Sequence, residues 1–237
     1  MTMTRIAFVL AAAVTVGLAL AGHARADLIV PTGIETFHQG DNPAGGDGAN
    51  TRVIDGSGMT KTDADDPSTW TATSTAWQDD WQGFDTPSTT EDDTWVALDL
   101  GTNLLASTTM YLWNVQEGGH ADRGMNEFKV YYATDPNPDP PTTDDQTGTE
   151  YDFETSGWTL LGTFTLAQGT ADGTDTGESF DVSGAAGARY IGFDFVSNHG
   201  AGDRVGFGEV AFVTTPEPAT LALLGAGLGA TLLRRRR

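Results

Sequence analysis

The sequence predicts an all-β fold, a jelly-roll β-sandwich of about eight antiparallel strands. Short runs in which apolar side chains alternate with others recur along the chain, as in Met110–Val115 and Glu127–Ala133. Strands with one buried face show this period of two. Turns rich in Gly and Asp separate the runs, and residues 27–213 contain no convincing helical period. Two packed sheets are the expected arrangement for many short strands of this kind.

The same alternation predicts the strands in chain order. Leu28–Thr36 is the first candidate, and residues 61–94 are expected to be a long loop region with short pieces of strand. Met110–Val115 and Glu127–Ala133 are expected to form a hairpin at the centre of the sandwich, and 135–154 a surface insertion. The other predicted strands are Trp95–Gly101, Trp158–Leu166, Phe180–Val182, Ala188–Val196 and Val205–Val213.

The chain is strongly acidic and contains no cysteine. Between residues 27 and 215, six basic residues stand against 32 acidic ones, which gives a net charge of −26. Such a surface repels nucleic acid and anionic lipid, whereas it is compatible with cations and neutral sugars. Solubility or salt tolerance is the simpler explanation of the charge. Without disulfides, stability must come from packing, with or without a bound metal.

Residues 1–26 have the features of a secretory signal peptide. Arg5 supplies the positive start, Ile6–Ala21 is apolar, and Ala24 and Ala26 are small residues at the two positions that a signal peptidase reads. Asp27 is therefore the predicted first residue of the mature chain. An uncleaved membrane anchor is the alternative.

The C-terminal segment, residues 214–237, has three parts in a fixed order. Pro216, Glu217 and Pro218 are followed by the uncharged stretch 219–233 and then by four arginines. Fifteen apolar residues are short for a stable membrane span, and the arginines would hold the end on the cytoplasmic side. The three parts together resemble a bacterial PEP-CTERM sorting signal, with a plain tail anchor as the alternative.

The PEP-CTERM resemblance implies a destination. An exosortase would process the chain near Pro218, while 219–233 passes transiently through the inner membrane as a hydrophobic helix. The family is associated with Gram-negative bacteria that make extracellular polysaccharide. The resemblance therefore implies an exported protein of the cell envelope or its polysaccharide matrix.

An ordered set of short motifs runs through the body of the chain. It comprises Asp55-Gly56, Trp95–Gly101, Trp113-Asn114 leading to Arg123-Gly124, Tyr131-Tyr132, Arg189-Tyr190-Ile191 and Gly206–Val210. In this order the motifs resemble the discoidin, or coagulation factor 5/8 type C, domain of the galactose-binding-like superfamily. The resemblance covers about residues 30–213, and residues 61–94 and 135–154 are longer and more acidic than is usual in the family. These departures include or border the ligand-selecting loops, so the resemblance does not identify the ligand.

The discoidin resemblance also implies a structural calcium site. In sugar-binding relatives, calcium lies where the early Asp-Gly loop meets a glutamate of the last strand. The matching residues are Asp55, Ser57, Thr60 and Glu209, with Asn50 as a further candidate. Calcium takes six to eight oxygen ligands, and a Gly-rich turn lets carbonyl groups converge. The alternative is an Asx turn at Asp55 and a solvated Glu209.

Aromatic residues in the acidic loop region are candidates for a sugar platform. Trp77, Asp79 and Trp81 combine indole rings, which stack on sugar C–H faces, with a carboxylate that accepts from hydroxyl groups. Trp70, Phe84 and Trp158 are further candidates. The alternative is that these aromatic residues cover the ends of the sandwich as core.

Arg123 is a candidate at the rim of the ligand site. The alternative is a structural anchor in which Arg123 forms a buried ion pair with Asp99, Asp122 or Glu127.

Taken together, the sequence predicts an exported, non-catalytic β-sandwich that binds carbohydrate or matrix and has calcium as a stabiliser. A structural or adhesive surface protein without a sugar site is the first alternative. A glycan-active enzyme is the second. The sequence contains no recognisable hydrolase, metalloprotease or phosphate-loop motif, and its histidines lack zinc-ligand spacing.

Overall fold

The computed structural model describes residues 26–36, 51–83, 95–134, 152–202 and 204–215. The predictions for the signal peptide, Asn50, Phe84, most of the insertion 135–154 and the sorting segment beyond residue 215 lie outside these ranges. Residues Leu28–Thr214 form one compact unit. Within the described ranges, no helix has both the length and the apolar character needed to cross a membrane.

The described part of the chain consists of thirteen strands, one four-residue helix and four single-turn 3-10 helices. The helix, α1, spans Arg52–Asp55. The strands are β1 (Asp27–Ile29), β2 (Gly33–Thr36), β3 (Met59–Lys61), β4 (Trp70–Ala72), β5 (Trp81–Gly83), β6 (Trp95–Asp99), β7 (Thr108–Trp113), β8 (Glu127–Ala133), β9 (Thr159–Thr165), β10 (Glu178–Asp181), β11 (Tyr190–Phe195), β12 (Val205–Phe207) and β13 (Glu209–Thr214).

Two sheets form the sandwich, as predicted. One has the strand order β1-β13-β7-β10 and the other the order β2-β6-β11-β8-β9. The five-stranded sheet is antiparallel throughout. Two small ribbons, β3-β4 and β12-β5, complete the described strands. The prediction of an all-β sandwich is confirmed.

The predicted central hairpin is wrong. β7 belongs to the four-stranded sheet and β8 to the five-stranded one, so the segment between them passes from one sheet to the other. That segment, residues 114–126, is far longer than a hairpin turn requires.

Two segments that were predicted as single strands are each divided into two. Residues 28–36 give β1 and β2, and residues 205–213 give β12 and β13.

The core lies between the inner faces of the two sheets. Met110, Leu112 and Phe212 come from the four-stranded sheet and are fully buried. They belong to the same apolar cluster as Phe128, Val130, Ile191 and Phe193 of the five-stranded sheet. The alternation predicted for β8, β11 and β13 places their apolar side chains inward as expected.

Aromatic residues also cover part of each outer face. On the four-stranded sheet, Trp70 of β4 stacks on Trp113 of β7, with ring centroids 5.9 Å apart. On the five-stranded sheet, Phe153 lies on Gly192, where a Cβ atom would overlap the phenyl ring. The stacking of Trp70 on Trp113 fixes the short β3-β4 ribbon over β7, close to the start of β13.

Candidate functional site

The candidate site lies where the turn after α1 meets the first residue of the last strand. Gly56 follows the last residue of α1 and has a left-handed conformation with φ of 79°. The N–H of Gly56 donates a hydrogen bond to Oε2 of Glu209 at 2.8 Å. The structure therefore brings together the early turn and the last strand, as the sequence predicted.

Glu209 is buried, with 1% of its surface exposed. Burial raises the pKa of its carboxyl group well above the usual range, and the hydrogen bond from Gly56 acts in the opposite direction. Two charged neighbours also act on this pKa: Lys61 lowers it and Asp55 raises it. Glu209 is therefore not the solvated side chain of the alternative interpretation.

The predicted calcium ligands other than Glu209 make hydrogen bonds within the early turn and the β3-β4 ribbon. Oδ1 of Asp55 accepts from the N–H and hydroxyl of Ser57 at 2.7 and 2.6 Å, which is the Asx turn of the alternative interpretation. The Thr60 hydroxyl lies 3.0 Å from that of Thr73. Among the described residues, no group of three or more Asp, Glu, His or Cys side chains could hold a metal ion. Calcium binding at this corner stays a prediction.

A small open pocket lies beside the turn, and its volume of about 10 Å³ has room for about one water molecule. Its wall combines two carboxylates, two hydroxyl-bearing residues, an amide and apolar surface. We call it the corner pocket; it is lined by Ser57, Gly58, Met59, Ala72, Ser74, Asp79, Asp80, Trp113, Gln116 and Gly208.

Asp80 fixes one wall of the corner pocket. Its Oδ2 accepts hydrogen bonds from the backbone N–H groups of Gln116 and Glu117 at 3.1 and 3.0 Å. Burial raises the pKa of Asp80 well above its usual range, with smaller upward effects from Glu117 and Asp79, while the two backbone donors lower it. Asp80 therefore ties residues 77–80 to the segment after β7.

The predicted sugar platform is only partly accessible. Trp77 and Asp79 lie in the 3-10 helix Trp77–Asp79 and are half-buried, and Asp79 lines the corner pocket. The prediction for Trp81 as a ligand residue is wrong. Its side chain is 1% exposed and stacks on Phe195 in the core, at a centroid distance of 5.6 Å.

Trp70 and Trp158 are also buried rather than presented to solvent. For these residues and Trp81, the alternative of core packing holds.

Arg123 is a structural anchor, although its partner differs from the three predicted carboxylates. Its guanidinium donates to Oε2 of Glu117 at 3.0 Å and to Oε1 of Gln82 at 3.4 Å. Gln82 in turn donates to the same Glu117 oxygen at 3.0 Å. Asp99, one of the predicted partners, pairs with Arg189 instead. The Arg123 cluster links β5 to the segment after β7.

Sequence reasoning missed several residues that build the site. Asp80 was part of the acidic aromatic run, but nothing in the sequence separated its buried carboxylate from the neighbouring Asp79. Asn114 was noted only as a family motif. In the structure its buried amide donates to the carbonyls of Met125 and Ala167, both at 2.8 Å. Lys61 carried no signal in the sequence, and the structure places it in β3 opposite Trp70.

The sorting segment is identified by comparison with known families. Residues 214–237 match the PEP-CTERM protein-sorting motif. This chain carries a PEP-CTERM sorting signal. The prediction from Pro216, Glu217 and Pro218 is confirmed, and the PEP-CTERM signal marks the chain as an exported protein sorted to the cell envelope. No curated protein matches the chain.

Several solved structures resemble the PEP-CTERM chain. The F5/8 type C domain of a Bacteroides fragilis protein is 9% identical, with a TM-score of 0.47; the match covers 81% of this chain and 99% of that one. The family 32 carbohydrate-binding module of C. perfringens NanJ, solved with galactose, is 11% identical, with a TM-score of 0.45 and coverages of 79% and 98%. Truncated AlyQ, with CBM32 and alginate lyase domains, is 16% identical with a TM-score of 0.41. The match covers 82% of this chain and 35% of AlyQ, so the PEP-CTERM chain spans just over one third of that protein.

Proposed function

We propose that the mature chain is a non-catalytic module that binds carbohydrate of the cell surface or its polysaccharide matrix. The observation that carries this proposal is the surface around the corner pocket, which combines carboxylate, hydroxyl and amide groups with apolar side chains. Because the pocket itself has room for about one water molecule, a sugar would lie on this surface and place at most one hydroxyl group inside. The chain's net charge of −21 favours a neutral sugar over an anionic one.

We also infer the route by which the protein reaches this ligand. The signal peptide directs export, and an exosortase then cuts near Pro218 while residues 219–233 are held in the inner membrane of a Gram-negative cell. The support is the order of the three parts within 214–237: the Pro-Glu-Pro motif, the uncharged stretch and the terminal arginines.

A structural or adhesive surface protein without a sugar site is the second candidate. The burial of Trp70, Trp81 and Trp158 favours it, because these rings are then scaffold. The two candidate functions differ in whether a sugar binds at the corner pocket.

Substitutions of Asp79, which lines the corner pocket, and of Trp77, which lies in the same 3-10 helix, test the proposal. Asp79→Asn and Trp77→Ala should each weaken binding by at least about tenfold, because they remove a charged acceptor and an aromatic surface. Binding is measured calorimetrically on the full-length protein against galactose and a panel of neutral polysaccharides. Asp172→Asn is the matched control, since it removes one carboxylate charge from an exposed turn and should leave binding unchanged.

Two results would support the structural candidate instead. One is a wild-type protein that binds none of the glycans. The other is a glycan that binds wild type, Asp79→Asn and Trp77→Ala equally. Turnover of any glycan would point to an enzyme. Trp81→Ala does not serve in this test, because loss of a core indole destabilises the fold.

A further inference from the structure

The side chain of Lys61 lies on the face of an indole. Lys61 and Trp70 are directly opposite each other in the β3-β4 ribbon. The Nζ atom of Lys61 is 4.0 Å from the centroid of the Trp70 ring. An ammonium group in this position is attracted by the electron-rich face of the ring. Trp70 is itself fixed by stacking on Trp113, so the lysine has a rigid support.

The other side of the same ammonium group lies against Gly56. A Cβ atom built on Gly56 would overlap Nζ and Cε of Lys61, so the lysine end occupies the space that a side chain at Gly56 would need. The N–H of Gly56 is the group that donates to Glu209 at 2.8 Å. Gly56 therefore neighbours both the Lys61 ammonium group and the buried carboxylate of Glu209.

Glu209 needs a positive charge nearby. A carboxylate with 1% exposure loses nearly all of its hydration, and the backbone N–H groups of Gly56 and Val210 offset only part of that loss. The charged groups that act on Glu209 are Lys61, which favours its ionised form, and Asp55, which opposes it. Asp55 uses one carboxylate oxygen to hold Ser57, and Thr60 is turned toward Thr73. Within the described ranges, Lys61 is the cation that this arrangement supplies.

We propose that Lys61 is the built-in counter-charge of Glu209, so that the corner between the first turn and the last strand is held without a divalent cation. The ammonium group takes the role that the sequence assigned to calcium. This inference concerns the stability of the sandwich and does not depend on carbohydrate binding.

A double-mutant cycle tests the coupling between Lys61 and Glu209. Lys61→Met keeps a long side chain over Trp70 but removes the charge, and it should lower the thermal unfolding midpoint of the full-length protein by about 2–4 °C at neutral pH. Lys61→Arg keeps the charge and should lose less. In a Glu209→Gln background the same Lys61→Met change should have a smaller effect, since a neutral amide needs no counter-charge. Equal effects in the two backgrounds would overturn the proposal.

Calcium addition to the wild-type protein is the second test. It needs no variant, so it can be done even if Glu209→Gln fails to fold. We expect no stoichiometric heat of binding on titration with calcium chloride, and no change of the unfolding midpoint with calcium or chelator. Stoichiometric calcium binding that raises the midpoint would contradict the role of Lys61. It would support a calcium site at Asp55 and Glu209.

Discussion

At the scale of single residues, the ion pair between Asp99 and Arg189 responds to acid. Nε and Nη2 of Arg189 donate to the two oxygens of Asp99 at 2.7 and 2.8 Å, which joins the end of β6 to the start of β11. The hydrogen bonds from Arg189 lower the pKa of Asp99. Because the folded pKa lies below the unfolded value of about 3.9, the pair stabilises the fold above about pH 4. That contribution is lost as the pH falls through the folded pKa.

Asp99→Asn should remove this acid-dependent contribution. We expect the unfolding free energy to fall by about 0.5–1 kcal/mol near neutral pH. The loss is small because both side chains are partly exposed and solvent screens the ion pair. Urea unfolding is measured from about pH 7 down to about pH 2, and the variant should approach wild type at the acid end. Glu127→Gln removes an exposed carboxylate and serves as control. If the difference in unfolding free energy between variant and wild type is the same at every pH, the stabilising effect does not depend on the ionisation of Asp99.

Individual residues of the site were harder to predict than the fold. Asp80 and Lys61 belong to no motif, and their roles arise because the chain folds distant segments against them. An anchoring ion pair was the alternative interpretation for Arg123, but its partner Glu117 lies in a loop whose path the sequence does not specify. The position of Glu209 beside the early turn was predicted correctly, since the last strand of a jelly roll can lie beside the first turn, while its role as a calcium ligand stays a prediction.

At the scale of secondary-structure elements, Phe153 fixes the segment 152–158 to the outer face of the five-stranded sheet. Its ring is parallel to Tyr131 at 5.0 Å and meets the edge of Trp158 at 5.0 Å. Gly192 of β11 leaves the space in which the phenyl ring lies. The end of the insertion after β8 is therefore packed structure.

Phe153→Ala should cost about 3–5 kcal/mol of unfolding free energy, because it leaves a cavity among three aromatic rings. Leu160→Ala is the matched control in the adjacent strand β9. Leu160 is 46% exposed, so its truncation should change stability by less than about 0.5 kcal/mol. Chemical denaturation of both variants gives the comparison, and similar losses would mean that Phe153 does not fix the segment.

The strands were predictable where apolar alternation is regular, as in β8 and β11. What alternation cannot reveal is which sheet a strand joins. β7 and β8 have the pattern of hairpin partners, yet β7 pairs with β13 and β10. Both partners of β7 lie far along the chain, and only the packing of the two sheets selects them.

At the scale of the whole molecule, repulsion among carboxylates opposes folding. The chain has 33 acidic and 12 basic residues. The unfolding midpoint should therefore rise with salt, since ions shorten the range of repulsion to about 8 Å near 0.15 M. Sodium and potassium chloride should act alike in thermal unfolding, because screening depends on ionic strength. A midpoint that falls with salt would mean that the ion pairs outweigh the repulsion.

The chain ends and the site differ in how much a sequence can reveal. The sorting signal was predictable because its parts are contiguous within 214–237. The residues that line the corner pocket come from four separate segments, 57–59, 72–80, 113–116 and 208. No local sequence pattern therefore predicts the pocket.

The position of β13 has a mechanical consequence. A protein held through the residues beyond Thr214 transmits any pull on its C-terminal end directly into β13. All six residues of β13 are in register with β7, and β1 flanks its other side. A pull along β13 loads these bonds together in shear instead of opening them one after another. Hydrogen bonds along the whole length of β13 would therefore have to break together under such a pull.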